Sequence, residues 1–366
     1  MQEQNARHAA AELKRIPKPV GRVWTGFGGE VIESRMLDHV DLIDARYLLS
    51  LHEHGGVVPR WQDVPDSARV NKSNIWRLWA WERMFSLGIL VLSYPWLDTC
   101  HPDRQGELLA RVVPILRHML RFCGGDEFTV GVLWDVCALP QPKRTEQEAA
   151  RFQAGLASLM TWYAHPYTHV LLMSTPLPTG AKYTNTRAYS ERGWTETERR
   201  TCAVSKCVHC LWDLAGYKPE ELAGLQGMQL FDALRAQCKA GRPPPQPPPT
   251  FAKHLRERVA SGELSFSAES DLDVVIEMYR AGFVSIFENY RAFDPDGFFA
   301  AFAAMDWGEE EARQVAAALG YAAKHCKGAK SAGVSVRLEG NRFGTAGQQA
   351  IAKAIKGSRN FDGCMF

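Results

Sequence analysis

Trp194 and Glu198 stand four residues apart in the segment RGWTETERR, so they share one face of any helix that contains them. Glu196 points to roughly the opposite side at ~100° per residue, where Arg192, Arg199 and Arg200 are expected to keep it solvated. A carboxylate beside an indole, if its face borders a cleft, can hold a ligand's hydroxyls or favour a developing positive charge. Ser93, Tyr94 and Trp96 in LSYPW combine a hydroxyl donor with aromatic surface for a planar ring. Asp135 in LWDVC adds a second carboxylate, which either binds a hydroxyl or caps its own loop. Trp96 and Trp134 read equally well as packing residues.

Other candidate groups carry less. Cys202, Cys207, His209 and Cys210 are metal-ligand types, but C-x4-C-x-H-C is not a zinc spacing. On a helix Cys207 and His209 would lie about 200° apart, so no metal is expected. His165 and His169 flank Pro166 and read as structural. DPDG at 294–297 reads as a turn, because its Gly is fourth, not sixth as in a calcium loop. No GxSxG, P-loop, HExxH or strand-following GxGxxG motif is present.

The elements that must position these residues follow from hydrophobic spacing. GILVLSY (88–94), FTVGVLWDVCALPQ and THVLLMSTPLP each contain a continuous apolar run, the mark of a strand buried on both faces. Between them, RQGELLARVVPILRHMLRFC is amphipathic at helical spacing despite Pro114, and TEQEAARFQAGLASLMTWYAH opens with a capping box of Thr145 and Glu148. RGWTETERRTCAVSKCVHCLWDL reads as a further helix. Strand and helix alternate three times, which implies an α/β fold with an open parallel sheet flanked by helices. Ligands of such sheets bind beyond the strands' carboxyl ends, where Ser93–Trp96, Asp135 and Ser174–Thr175 fall.

The rest of the chain divides by composition. Residues 1–19 read as a flexible leader, and 20–85 as a segment packing on the core, with an extended start (GRVWTGFGGEVIES) and helical spacing in LIDARYLLSLHEH. The α/β domain spans about 86–216, and 217–262 holds a helix and the semi-rigid Pro-rich spacer GRPPPQPPPT. Residues 263–366 read as mostly helical. WGEEEARQVAAAL and FGTAGQQAIAKAI repeat one pattern there at an offset of 36 residues. With VSVRLEGNRFG before the second copy, the pattern resembles one and a half leucine-rich repeats of the helix-bearing kind.

Four pieces in order, LVLSYPW, VLWDVCALPQ, THVLLMST and RGWTETER, resemble the heterokaryon-incompatibility (HET) domain, whose sequences read like LSYxWG, WIDxxCINQ and RxWTxxE. They resemble Toll/interleukin-1 receptor (TIR) domains more distantly. Leu97 stands where the HET pattern has Gly, CALPQ is one residue longer than CINQ, and the acidic residue that often begins the first TIR strand is absent. The resemblance implies a TIR/HET-like, flavodoxin-like sheet over about 86–216. It also implies an NAD+ glycohydrolase, with Glu198 as the catalytic carboxylate at the nicotinamide–ribose bond and Ser93, Tyr94, Trp96, Asp135 and Trp194 lining the substrate. NAD+ would be substrate, with no cofactor, because the cationic leaving group and an oxocarbenium-like transition state need only a placed carboxylate. The alternative it implies is a non-enzymatic module that self-associates, with a partner on the C-terminal region.

Composition bounds the remaining classes. A formal charge of +2 gives no nucleic-acid stripe, and no apolar run reaches the ~18 residues of a membrane span. Nine scattered cysteines form no secreted disulfide framework and suggest a reduced, cytoplasmic compartment.

Overall fold

The structure, a computed structural model, describes residues 32–81, 86–123, 128–179, 182–293, 298–299, 302–327 and 333–366. The leader at 1–19, the extended start up to residue 31 and the DPDG turn at 294–297 lie outside the described residues. The chain divides into two compact units: residues 1–157, 168–189 and 212–239 form one, and 158–167, 190–211 and 240–366 the other. Among the described residues, no helix is long and apolar enough to cross a membrane.

The strands up to the middle of the chain are β1 (Leu42–Asp44), β2 (Arg69–Val70), β3 (Ala80–Trp81), β4 (Ser86–Leu87), β5 (Ile89–Ser93), β6 (Gly131–Leu133), β7 (His169–Leu172) and β8 (Leu211–Asp213). β3 and β4 pair antiparallel with each other. The other six form one sheet in the order β2-β1-β6-β5-β7-β8. β5 runs parallel to both β6 and β7, and every residue of β5 is buried, which is why its sequence is an unbroken apolar run. The sheet is mixed, however, not all parallel: β1 pairs antiparallel with β2 and β6. Leu42–Asp44 is too short to show a strand period and merges in sequence with the helix α1 (Ala45–Glu53) that follows it.

Buried charge holds this edge. Asp44 caps α1 by accepting from the Arg46 N–H at 2.8 Å, accepts the Thr129 hydroxyl at 2.7 Å and pairs with Arg77 at 2.6 Å. Burial pushes the Asp44 carboxyl up, and Arg77 opposes that shift. Helix α2 (Glu107–Cys123) buries Leu108, Leu109, Val112, Val113, Ile115 and Leu116 on its core side. Its first amides donate to buried Asp103, Leu108 at 3.0 Å and Leu109 at 2.8 Å. After the short α3 (Asp135–Ala138), α4 (Glu146–Ala164) opens with the expected capping box. The Thr145 N–H donates to Glu148 at 2.8 Å and the Glu148 N–H to the Thr145 hydroxyl at 3.2 Å.

The second unit contains α5 (Gly193–Ser205), which is shorter than the spacing suggests. The chain turns at Lys206, whose ammonium donates to the His165 carbonyl at 2.6 Å, and the Cys207 N–H donates to the Pro166 carbonyl at 3.2 Å. After α6 (Gly227–Cys238) in the first unit, α7 (Pro248–Ala260) begins inside the Pro-rich stretch. The first turn of a helix tolerates proline, since its N–H groups have no helical partner anyway. That stretch is packed and is not a free spacer: Pro244 and Pro245 are buried, and the Gln246 carbonyl accepts the Tyr279 hydroxyl at 2.7 Å.

Beyond α8 (Asp271–Phe293) the chain runs β9 (Phe298–Phe299), α9 (Glu309–His325), β10 (Val334–Arg337), α10 (Thr345–Ile355) and β11 (Phe361–Met365). The strands lie in consecutive order and parallel, so the 36-residue repetition is a repeated strand–helix unit. Asn341 joins the copies: its side-chain amide donates to the Phe302 and Leu338 carbonyls, both at 2.7 Å, and its oxygen accepts the Trp307 N–H at 3.1 Å.

Candidate functional site

β5 and β6 end side by side, and the residues just past their ends interlock. Tyr94 and Trp96 lie two apart in extended chain, so both can face the same neighbour. The Tyr94 hydroxyl donates to one oxygen of Asp135 and the Trp96 indole N–H to the other, the latter at 3.0 Å. The Val136 N–H also donates to Asp135, at 2.6 Å, and the Tyr94 ring meets Trp134 edge-on with centroids 5.6 Å apart. Burial pushes the Asp135 carboxyl up against these three donors. The loop behind it is held by Gln141, whose side-chain amide donates to the Leu139 carbonyl at 2.8 Å. Trp96 and Asp135 remain partly exposed.

Ser93 does not join this cluster. As the last residue of β5 it points away from Tyr94, is fully buried, and shares a hydrogen bond with the Tyr189 hydroxyl at 2.6 Å. Leu97, at the position of the HET glycine, is also fully buried. Its carbonyl accepts the Asn185 N–H at 2.9 Å. Around it the loops after β5 and β7 are tied together. Asp98 accepts the Thr184 N–H at 2.8 Å and its hydroxyl at 2.9 Å, and Arg104 at 2.5 Å. Arg111 donates to the Thr175 hydroxyl at 2.9 Å, and Ser174 donates to Asp213 at 2.5 Å. Asp98 and Thr184 have no motif around them, and only the pairing of two loops distant in sequence reveals their role.

Trp194 and Glu198 belong to the second unit, on α5. Both are partly exposed, in keeping with their shared face. The Trp194 indole N–H donates to Asp271 at 3.0 Å. The buried carboxylate of this helix is Glu196, with 7% of its surface exposed. It pairs with Arg200 and Arg258, each at 2.9 Å, and more loosely with Arg199 at 3.5 Å. The expectation of a solvated Glu196 is therefore overturned, and Arg192, expected to be solvated with it, is buried too. Helical spacing places Arg199 and Arg200 beside it, but Arg258 arrives from α7, about which local spacing is silent. Gly193 has a steric reason: a Cβ there would lie 2.1 Å from the Phe266 ring, and the Gly193 N–H donates to the Ser265 carbonyl at 2.9 Å.

The cysteine-rich segment is not one helix, since α5 ends at Ser205 and Val208–Cys210 forms a 3₁₀ turn. Among the described residues, no group of three or more His, Cys, Asp or Glu is arranged to hold a metal ion. His165 and His169 are both fully buried. His165 accepts the Tyr167 N–H at 3.1 Å, and His169 packs edge-on against Trp212 with centroids 5.0 Å apart.

Compared with protein-family models, curated proteins and solved structures, the chain matches none.

Proposed function

We propose that this chain is a TIR/HET-like interaction module whose α/β unit self-associates and whose strand–helix repeat offers a second, partner-binding face. The observation that carries this reading is the engagement of Asp135. Both of its carboxylate oxygens accept hydrogen bonds from the motif's own aromatic residues, Tyr94 and Trp96. Of its two open roles, loop holding is the one this geometry favours. A ligand hydroxyl would have to displace one of these donors, at about 1–3 kcal/mol for each group left unsatisfied. The buried helix carboxylate, Glu196, is likewise occupied by arginines.

The repeat adds support. Along β10, buried Val334 and Val336 alternate with partly exposed Ser335 and exposed Arg337, so one strand face packs on helices and the other presents polar side chains. Leucine-rich-repeat-like proteins use such stacked strand faces for binding. Light scattering across a concentration series tests self-association. The mass should rise above the 41.0 kDa of one chain as concentration increases, and a mass fixed at one chain throughout contradicts it.

One observation favours a second reading, the NAD+ glycohydrolase implied by the resemblance. Glu198 shares the partly exposed α5 face with Trp194, while its neighbour Glu196 is buried. In that reading Glu198 holds the ribose hydroxyls of NAD+ and favours the oxocarbenium-like transition state.

A further inference from the structure

Neither reading uses the thiols that follow α5. Cys207 and Cys210 are a C-x-x-C pair set on one tight turn. Cys207 precedes the 3₁₀ turn of Val208–Cys210, and the Cys210 N–H donates to the Cys207 carbonyl at 2.9 Å. A turn closed this way brings its first and fourth Cα atoms within ~7 Å, and disulfides span about 4.4–6.8 Å between Cα atoms. The turn is also anchored at both ends. The Cys207 N–H donates to the Pro166 carbonyl, and the Leu211 carbonyl accepts the Ala240 N–H, each at 3.2 Å. The pair is unbridged in the structure.

Charge and access distinguish the two sulfurs. Lys206, fully buried, precedes the pair with its ammonium on the His165 carbonyl, and the Arg242 guanidinium donates to the Lys206 carbonyl. Burial works against both cations. Thiolates at Cys202, Cys210 and Cys207 favour the charged form of Lys206, and those at Cys207 and Cys202 favour that of Arg242. The relation is mutual, so the two cations stabilise the thiolate, the form that attacks disulfides, against the effect of burial. At Cys202, beside the same cations, burial still prevails and pushes the thiol up to about 12. Cys207 keeps 6% of its surface exposed and Cys210 none, which makes Cys207 the attacking thiol and Cys210 the resolving one.

We propose that Cys207 and Cys210 form a reversible dithiol–disulfide pair whose oxidant is a low-molecular-weight disulfide such as oxidised glutathione. The Cys207 thiolate attacks one sulfur of the oxidant, breaks its S–S bond and expels one small thiolate. The Cys210 thiolate then attacks the Cys207 sulfur of the mixed disulfide, forms the internal bridge and expels the second small thiolate. The two protons lost by the protein thiols pass to the two leaving thiolates. The protein is oxidised by two electrons and the reagent is reduced by two.

The test is peptide mapping of the full chain after equilibration in mixtures of oxidised and reduced glutathione, acid quenching and alkylation. The peptide holding residues 207–210 should carry two alkyl groups at the reduced end and none at the oxidised end, with the mass of the bridged form. Cys210→Ser should stop at a glutathione adduct on Cys207, Cys207→Ser should abolish both bridge and adduct, and Cys202→Ser should keep the bridge. Two alkylated sulfurs in the wild-type peptide at the oxidised end, or a bridge from Cys207 to Cys202, would overturn the proposal. The wild-type map needs no variant, so a variant that fails to fold leaves the test standing.

Discussion

The two larger sheets among the described residues are assembled by different rules. In the six-stranded sheet, consecutive strands are interleaved with distant ones: Ile43 of β1 pairs with Val132 of β6, and Leu90 of β5 with His169 of β7. In the three-stranded sheet each strand pairs with the next in sequence, Val334 with Phe361 and Ser335 with Phe298. The stitches differ accordingly. The large sheet is closed at its antiparallel edge by the buried charges of Asp44 and Arg77, whereas a neutral side-chain amide, Asn341, joins successive repeat units. Long-range closure thus rests on a pair that fails badly when half of it is removed, and local repetition on bonds that fail mildly.

The contrast can be broken from either side. Asp44→Ala removes the carboxylate that lies 2.6 Å from the buried Arg77 guanidinium and takes away the α1 cap. It should cost about 3–5 kcal/mol, read as a lower denaturant midpoint of the first unit.

Lys206 tests whether the second unit also carries a costly buried charge. Burial is the main cause that lowers its pKa to about 8, from an ordinary value of 10.5. The unfolded chain therefore binds more protons between these values, and stability from this group rises with pH across that window. Its penalty is fully present below pH 8. Relative to wild type, Lys206→Met should lose about 2 kcal/mol of advantage between about pH 7 and 10, measured by parallel denaturant titrations. A pH-independent difference would remove the charge from the account.

Asn341→Ala should cost about 2 kcal/mol through two carbonyls and one amide left unsatisfied. Its effect should be confined to hydrogen-exchange protection of β9–β11 and their helices. Thr145→Ala removes one half of a capping box on the exposed start of α4, worth about 1 kcal/mol. It should shift the thermal midpoint least of the four.

What could be read from the sequence follows the same division. The continuous apolar runs identified β5, β6 and β7, the capping box identified the start of α4, and the 36-residue repetition identified the strand–helix units, because each signal is local. The antiparallel β1 stayed hidden because three residues show no period and the helix begins at the next residue. The packed Pro-rich stretch was misread because proline chemistry excludes helix interiors but not first turns. At the site, the Tyr94–Trp96–Asp135 cluster was legible from strand ends. The buried state of Glu196 was not, because Arg258 lies 62 residues further along.

The central claim, that the motif residues hold the fold of a binding module, is tested most directly by assaying nicotinamide release from NAD+ at high protein concentration, with wild type beside Glu198→Gln. No release above background is expected from either protein. Turnover by the wild type that Glu198→Gln abolishes, with the variant still folded, would contradict it and establish the glycohydrolase reading.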